Sequence, residues 1–383
     1  MITLLERIFI KQGKDERRAY GILCGTLGIA LNLLLFAGKY LAGFLSGSIA
    51  VMADAFNNLS DAGSSVITLL GFQFAGQAAD EEHPFGHGRI EYLSGLAVSI
   101  AIIVMGVELG RSSIEKIIHP EAVDTGALSM AILLASVAVK LYMSFYNRRI
   151  GAKIDSAAMK ATATDSLSDA LATSMVLISM LIMKFTGVNV DGWCGVLVAV
   201  FILKAGYEAA KETLNPLLGQ APEPEFIEEI QNIVLSRPEI IGIHDLVVHD
   251  YGPGHRMVSL HGEVDGSQDI FELHDAIDGV EMELQERLGC QAVIHMDPVN
   301  LKDPEMKEKK AMVEQIVKAV DSRLTIHDFR LVHGGGVTKL LFDVVMPFEM
   351  KMGEEELKKQ VQDQVCETMP CCCAIIQIDH SYV

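Results

Sequence analysis

Long apolar runs fill the first part of the chain, and short alternating runs fill the rest. Six runs, at about 20–45, 49–74, 93–115, 126–147, 158–183 and 190–212, are each long enough to cross a bilayer as a helix. The link Leu45-Ser-Gly-Ser-Ile49 is so short that the first two runs form a tight hairpin. After Pro216 and Pro222 the period changes. Glu225–Ser236 has helical spacing, Gly242–Tyr251 and Met257–Val264 alternate like strands, Ile270–Leu288 is helical and Ala292–Asp297 is a strand. That order, α-β-β-α-β, describes a small two-layer α+β domain.

The same order then recurs. Glu305–Val320 is helical, and Ile326-His-Asp-Phe329 echoes Ile243-His-Asp-Leu246. Gly334-Gly-Gly336 takes the place of Gly252-Pro-Gly254. Lys339–Val345, Glu354–Met369 and Ala374–Asp379 complete the copy. Three domains are therefore expected: a six-helix membrane domain over 1–215 and two tandem α+β domains over 216–300 and 301–383.

Charge separates the same halves. Residues up to Gln220 carry 17 basic and 19 acidic side chains, and those from Ala221 carry 14 basic and 31 acidic. The second half, with most of the net charge of −19, is unsuited to nucleic acid or to an anionic lipid surface. Basic residues cluster before the first run and between the fourth and fifth (Arg148, Arg149, Lys153, Lys160), while the loops near 119–126 and 187–191 have none. The positive-inside rule then places both termini in the cytoplasm of a multi-pass cell-membrane protein. Seven cysteines form no disulfide framework.

Polar residues inside two runs supply the candidate chemistry. Asp54, Asn57 and Asp61 share one helical face, and Asp165 and Asp169 are one turn apart on another helix. Ionisable groups at membrane depth are costly and mark function by default. Asn57, Asp61, Asp165 and Asp169 offer one amide oxygen and three carboxylates, which suit harder divalent cations. Carboxylates also take protons when metal leaves, so one site can exchange the two. Asp54 is expected to serve packing or gating. In the loop after the second run, His83 and His87 lie at i and i+4 with Asp80 nearby, a plausible metal site. The rival explanation is interhelical hydrogen bonding, which two such pairs on two helices make less attractive.

The stretch Ala50-Val-Met-Ala-Asp-Ala-Phe-Asn-Asn-Leu-Ser-Asp-Ala-Gly-Ser-Ser65, the loop His83-Pro-Phe-Gly-His87-Gly-Arg-Ile-Glu91 and Asp165–Asp169 resemble the cation diffusion facilitator family over roughly residues 10–300. The resemblance implies a six-span homodimer that exports divalent metal in exchange for protons, with a ferredoxin-like, metallochaperone-like cytoplasmic domain. It implies that Asn57, Asp61, Asp165 and Asp169 form the transport site, and that Asp80, His83 and His87 form a second site. It further implies that His244, His261, His274, His295 and Asp297 hold metal in the cytoplasmic domain. Asn57 and Asp165 depart from the commonest zinc pattern and resemble the manganese-exporting branch. Manganese is therefore the favoured substrate, with iron or zinc as alternatives and metal as a further regulator. No organic cofactor is expected, and no HExxH, nucleophile elbow or nucleotide loop suggests an enzyme. The alternative from another class is a membrane-tethered metal sensor that transports nothing. In the second α+β copy, Asp343 and Gln377 stand where the first has His261 and His295, so that copy is expected to have lost its metal cluster and to enlarge the cytoplasmic dimer or act as a spacer.

Overall fold

A computed structural model describes residues 16–46, 49–119, 126–300, 302–334 and 337–380, without the side chains of 42–43, 45–46, 49–54 and 334. It separates into two compact units, Met1–Gln220 with Asp250–His255, and Ala221–His249 with Arg256–Val383.

The first unit is built from α1 (Glu16–Ser46), α2 (Ile49–Ala75), α3 (Ile90–Ile118), α4 (Ala127–Lys153), α5 (Ala157–Thr186) and α6 (Asp191–Leu214). Among the described residues, five segments are long and apolar enough to cross a membrane: Glu16–Leu41, Ile90–Ile118, Ala127–Lys153, Ala157–Thr186 and Asp191–Leu218. The helix α2 spans 27 residues, but its opening side chains lie outside the described set.

Helices pair as α1 with α2, α3 with α6 and α4 with α5. Apolar burial alone gives little preference among partners in lipid, so close backbone approach and polar contacts decide the pairing. Gly21, Gly25 and Gly28 form one stripe on α1. A Cβ on Gly21 would lie 2.0 Å from the Phe72 ring, and one on Gly25 would lie 2.7 Å from Leu69 Cβ. Tyr20, Cys24, Phe72, Met143 and Tyr146 pack around this contact, and Val98, Ile102, Ala161, Val198 and Ile202 form a second cluster.

One polar knot ties several helix ends. Glu91, in the first turn of α3, is 1% exposed and accepts from Arg17 Nη2 (2.8 Å), Arg17 Nε (3.0 Å) and Ser156 Oγ (2.5 Å). Ser156 also caps α5 by accepting from the Met159 amide at 3.2 Å. These bonds satisfy a carboxylate that would be very costly to bury alone.

The second unit contains α7 (Pro224–Val234), β1 (Ile240–Asp250), β2 (Arg256–Asp265), α8 (Ile270–Leu288) and β3 (Cys290–Val299). It continues with α9 (Pro304–Val320), β4 (Thr325–Gly334), β5 (Val337–Val345), α10 (Glu354–Thr368) and β6 (Cys372–Asp379). Two three-stranded sheets result, ordered β1-β2-β3 and β4-β5-β6. The elements lie within a few residues of the periodicity expected from sequence. Prolines at the first turns of α7 and α9 fix their starts, and the Asp269 and Asp303 carboxylates cap α8 and α9.

Each sheet covers its own apolar core. Ile230, Leu260, Val280 and Leu284 lie in one, and Leu324, Leu340, Phe342 and Val361 in the other. Parallel pairing sets His261 opposite His295 in the first sheet and Asp343 opposite Gln377 in the second. Strand alternation buries Cys372 and exposes Cys371 and Cys373, so the three thiols do not converge. Asp245 and Asp328 occupy matching places and share a left-handed φ of 51°. Aspartate tolerates that conformation better than most residues.

The glycine stripe carries a prediction. Gly25→Val would force a branched side chain into the Leu69 backbone and should lower stability by about 1–3 kcal/mol. Thermal unfolding in detergent checks it; an unchanged midpoint would refute the close α1–α2 contact.

Candidate functional site

Lys140, near the middle of α4, lies with its side chain 3% exposed. Its Nζ donates to Asp61 Oδ2 on α2 and to Asp169 Oδ2 on α5, each at 2.6 Å. Asp165, one turn before Asp169, is 7% exposed. Asn58 Nδ2 donates to Asp61 Oδ2 at 3.3 Å, and the Ser65 hydroxyl donates to the Asp61 carbonyl at 3.2 Å. Asn32 on α1 reaches Ser65 Oγ at 3.4 Å. Three helices thus bring three carboxylates and one ammonium into an apolar setting. One positive charge is set against three groups able to carry negative charge, so the centre has room for further positive charge.

Of the two neighbouring amides, Asn58 is the one that contacts Asp61. Asn57 is exposed, whereas Asn58 is 2% exposed and touches Asp61. The inward face of α2 runs through Asn58, Asp61, Ser65 and Thr68, with Thr68 Oγ1 2.9 Å from Thr162 Oγ1 on α5. Asn57 stands beside that face because i and i+4 around Asp61 overlap only partly with the turn the helix presents inward. The Asp54 side chain lies outside the described residues. Lys140 and Asn58 were both missed from sequence. A lone lysine in the middle of an apolar run was the available signal for the first.

The loop residues do converge. His83 Nδ1 and His87 Nε2 each lie 3.5 Å from an oxygen of Asp80, and the rings are 4.5 Å apart. Asp80 also accepts from the backbone amides of His83 (2.7 Å) and Glu82 (3.0 Å). The His83 amide is the leading reason that its pKa is lowered. His87 Nδ1 is buried without a hydrogen bond.

In the first sheet, His261 Nδ1 donates to Asp297 Oδ2 at 2.9 Å. His244 Nε2 lies 3.2 Å from the same oxygen, and His295 Nε2 lies 3.3 Å from Asp297 Oδ1. Four of the five expected residues therefore meet around one carboxylate. His274 does not join them. Helix α8 buries Leu273, Ile277, Val280 and Leu284, leaving His274 on the outward face, 3.5 Å from Asp278. Burial opposes the charge on His244, but its bond to Asp245 and the nearby carboxylates outweigh that, and its pKa is raised.

A group with a raised folded pKa contributes stability that is complete below its unfolded value, about 6.5, and is lost as pH climbs through the folded value. In chelator-treated protein, His244→Gln should therefore flatten the fall of melting temperature as pH rises above about 6.5. An identical slope in wild type and variant would refute the His244–Asp245 pairing.

Residues 25–218 match the cation efflux transmembrane domain, and residues 222–299 match the cytoplasmic domain of cation efflux proteins. An uncharacterized transporter of Methanocaldococcus jannaschii is 32% identical over 279 residues, covering 72% of this chain and 97% of the relative. The cation-efflux pump FieF of Klebsiella pneumoniae is 27% identical over 285 residues, 73% of this chain and 95% of its own. FieF of Salmonella arizonae is 28% identical over 305 residues, 76% and 98%. Residues 300–383 lie beyond both domain matches. The chain is a multi-pass membrane protein with the make-up of a transporter rather than an enzyme, and it belongs to the cation efflux family.

Proposed function

We propose that this protein exports divalent metal ions in exchange for protons, with manganese as the preferred substrate. In this reading α1–α6 are six spans forming a transport domain over 1–215. The domains over 216–300 and 301–383 are tandem cytoplasmic α+β modules, both termini face the cytoplasm, and the protein works as a homodimer in the cell membrane. The match to a cation efflux cytoplasmic domain and the FieF relatives support it.

The observation that carries the reading is the ammonium of Lys140 between Asp61 and Asp169. It marks a buried centre suited to cations on three helices. Asp61, Asp165 and Asp169 would bind the metal, with an amide from Asn57 or Asn58. These are oxygen donors, which favour manganese or iron over zinc despite the general affinity order. Lys140 acts as a tethered cation. It holds the carboxylates together when the site is empty and moves aside when metal enters. Released metal is replaced by protons or by the ammonium, so the site need not cross the membrane with its charges uncompensated. The acidic second half would raise the local concentration of cations.

Reconstitution tests the assignment. Manganese uptake into proteoliposomes driven by a proton gradient should fall at least about tenfold in Asp61→Ala, a barrier change of about 1.4 kcal/mol. Undiminished uptake would sink the site. Removing the competing cation should separate binding from turnover: Lys140→Met should lower the apparent KM for manganese by about tenfold while also lowering kcat. If both constants match wild type, Lys140 plays no part in the cycle.

A further inference from the structure

The second sheet holds a group of donors that the sequence comparison had written off. His327 on β4, Asp343 on β5 and Asp379 at the end of β6 each offer a ligand atom, all within 4.8 Å of one another. His327 is 8% exposed, and among the described residues neither of its ring nitrogens has a hydrogen-bond partner. A buried imidazole in a structural role would have such a partner, because leaving one unmade is costly. Instead, His327 Nε2 lies 3.6 Å from Asp379 Oδ2 and 3.6 Å from Asp245 Oδ1 of the first sheet. Those spacings are long for hydrogen bonds. They fit donors around one ion, since bonds of about 2.1 Å place neighbouring ligands about 3–3.5 Å apart.

Topology argues for the same point. His327 and Asp328 stand where His244 and Asp245 do, and both aspartates share a φ of 51°. Asp343 stands opposite Gln377, as His261 stands opposite His295, and Asp379 corresponds to Asp297. The His244 and His327 rings stack with centroids 4.7 Å apart, so matching residues of the two sheets touch each other. Asp245 faces both groups: its Oδ2 is 3.4 Å from His244 Nδ1, and its Oδ1 reaches toward His327.

We propose that His327, Asp343 and Asp379, with Asp245 as a shared bridging carboxylate, form a second divalent-cation site at the junction of the two sheets. Its donors are one imidazole and three carboxylates, against the imidazole-rich group of His244, His261, His295 and Asp297. It therefore takes a harder ion of the manganese class, while the neighbouring group suits a softer one. Negative charge is crowded there, because Asp343, Asp379 and Asp245 all gather about His327, and a bound cation would relieve it. Asp328 is paired with Arg330, so the bridging carboxylate is supplied by Asp245 alone.

The inference goes beyond the transport reading, because it concerns equilibrium binding to the second unit. The test titrates Mn2+ into full-length, chelator-treated protein in detergent and follows free Mn2+ by electron paramagnetic resonance. Wild type should bind one more Mn2+ per chain than Asp343→Asn with Asp379→Asn, or bind that equivalent at least about tenfold more tightly. The same step should be lost when the pair is introduced into Asp61→Ala, whether or not Asp61 itself holds metal. The amide replacements are near-isosteric and remove like-charge repulsion, so the metal-free variant should melt no lower than wild type while losing part of the Mn2+-induced rise. His327→Gln should lose the same equivalent. Wild-type stoichiometry and affinity in both variants would overturn the site.

Discussion

Lys140 Nζ sits 2.6 Å from a carboxylate oxygen of Asp61 and 2.6 Å from one of Asp169, almost wholly out of solvent. Removing such ions from water costs several kcal/mol each, and mutual attraction offsets this only when the geometry is held. The three partners come from α2, α4 and α5, so the centre requires those helices to keep their spacing. Small residues on α1 let α2 approach closely, and the Glu91 knot fixes the helix ends near Arg17 and Ser156. The packing of the first unit and its electrostatics are in that sense one constraint. A loose bundle would admit water and weaken the pair, and a bundle without the pair would carry uncompensated carboxylates.

A charge carried on a side chain differs from a bound ion in one respect: it cannot leave. An ammonium between two carboxylates competes with any metal that uses the same oxygens, and it limits how tightly the metal is held. For the proposed exporter, moderate affinity is useful, because a site that binds too strongly releases slowly. The competition also restricts the accessible charge states of the empty site, which matters wherever a low-dielectric barrier must be crossed.

The parts legible from sequence were those where chemistry and period coincide. Carboxylates inside apolar runs stood out, and the structure brings Asp61 and Asp169 onto a common partner. Alternation located the strands, and paired Gly and Pro located the turns. Lys140 was harder to read because one basic residue in a run looks like a charge that reaches toward the interface, and only the three-dimensional arrangement supplies its partners. The choice between Asn57 and Asn58 turns on about a hundred degrees of helix rotation, finer than a spacing argument resolves. A residue's place on a helix says little about which neighbouring sheet it reaches, and within the chain His274 stands apart from the His261 group. In the structure α8 turns its apolar stripe inward and His274 outward.

In the second sheet, residue-by-residue comparison and geometry point different ways. Matching His261 with Asp343 and His295 with Gln377 suggested a lost cluster, yet a carboxylate is also a ligand, and Asp245 arrives from a different sheet. The donors of the two groups differ in softness, while their places on the strands match. The symmetry is incomplete: Arg330 pairs with Asp328, while Asp245 faces both groups. The proposed second site is complete only when the two sheets are docked, because its donors are divided between them. Binding and docking are then thermodynamically linked. Whatever the docked arrangement adds to cation affinity, the cation returns as stability of the docked arrangement. A segment that looks like a spacer by length would thereby sense metal by its fold.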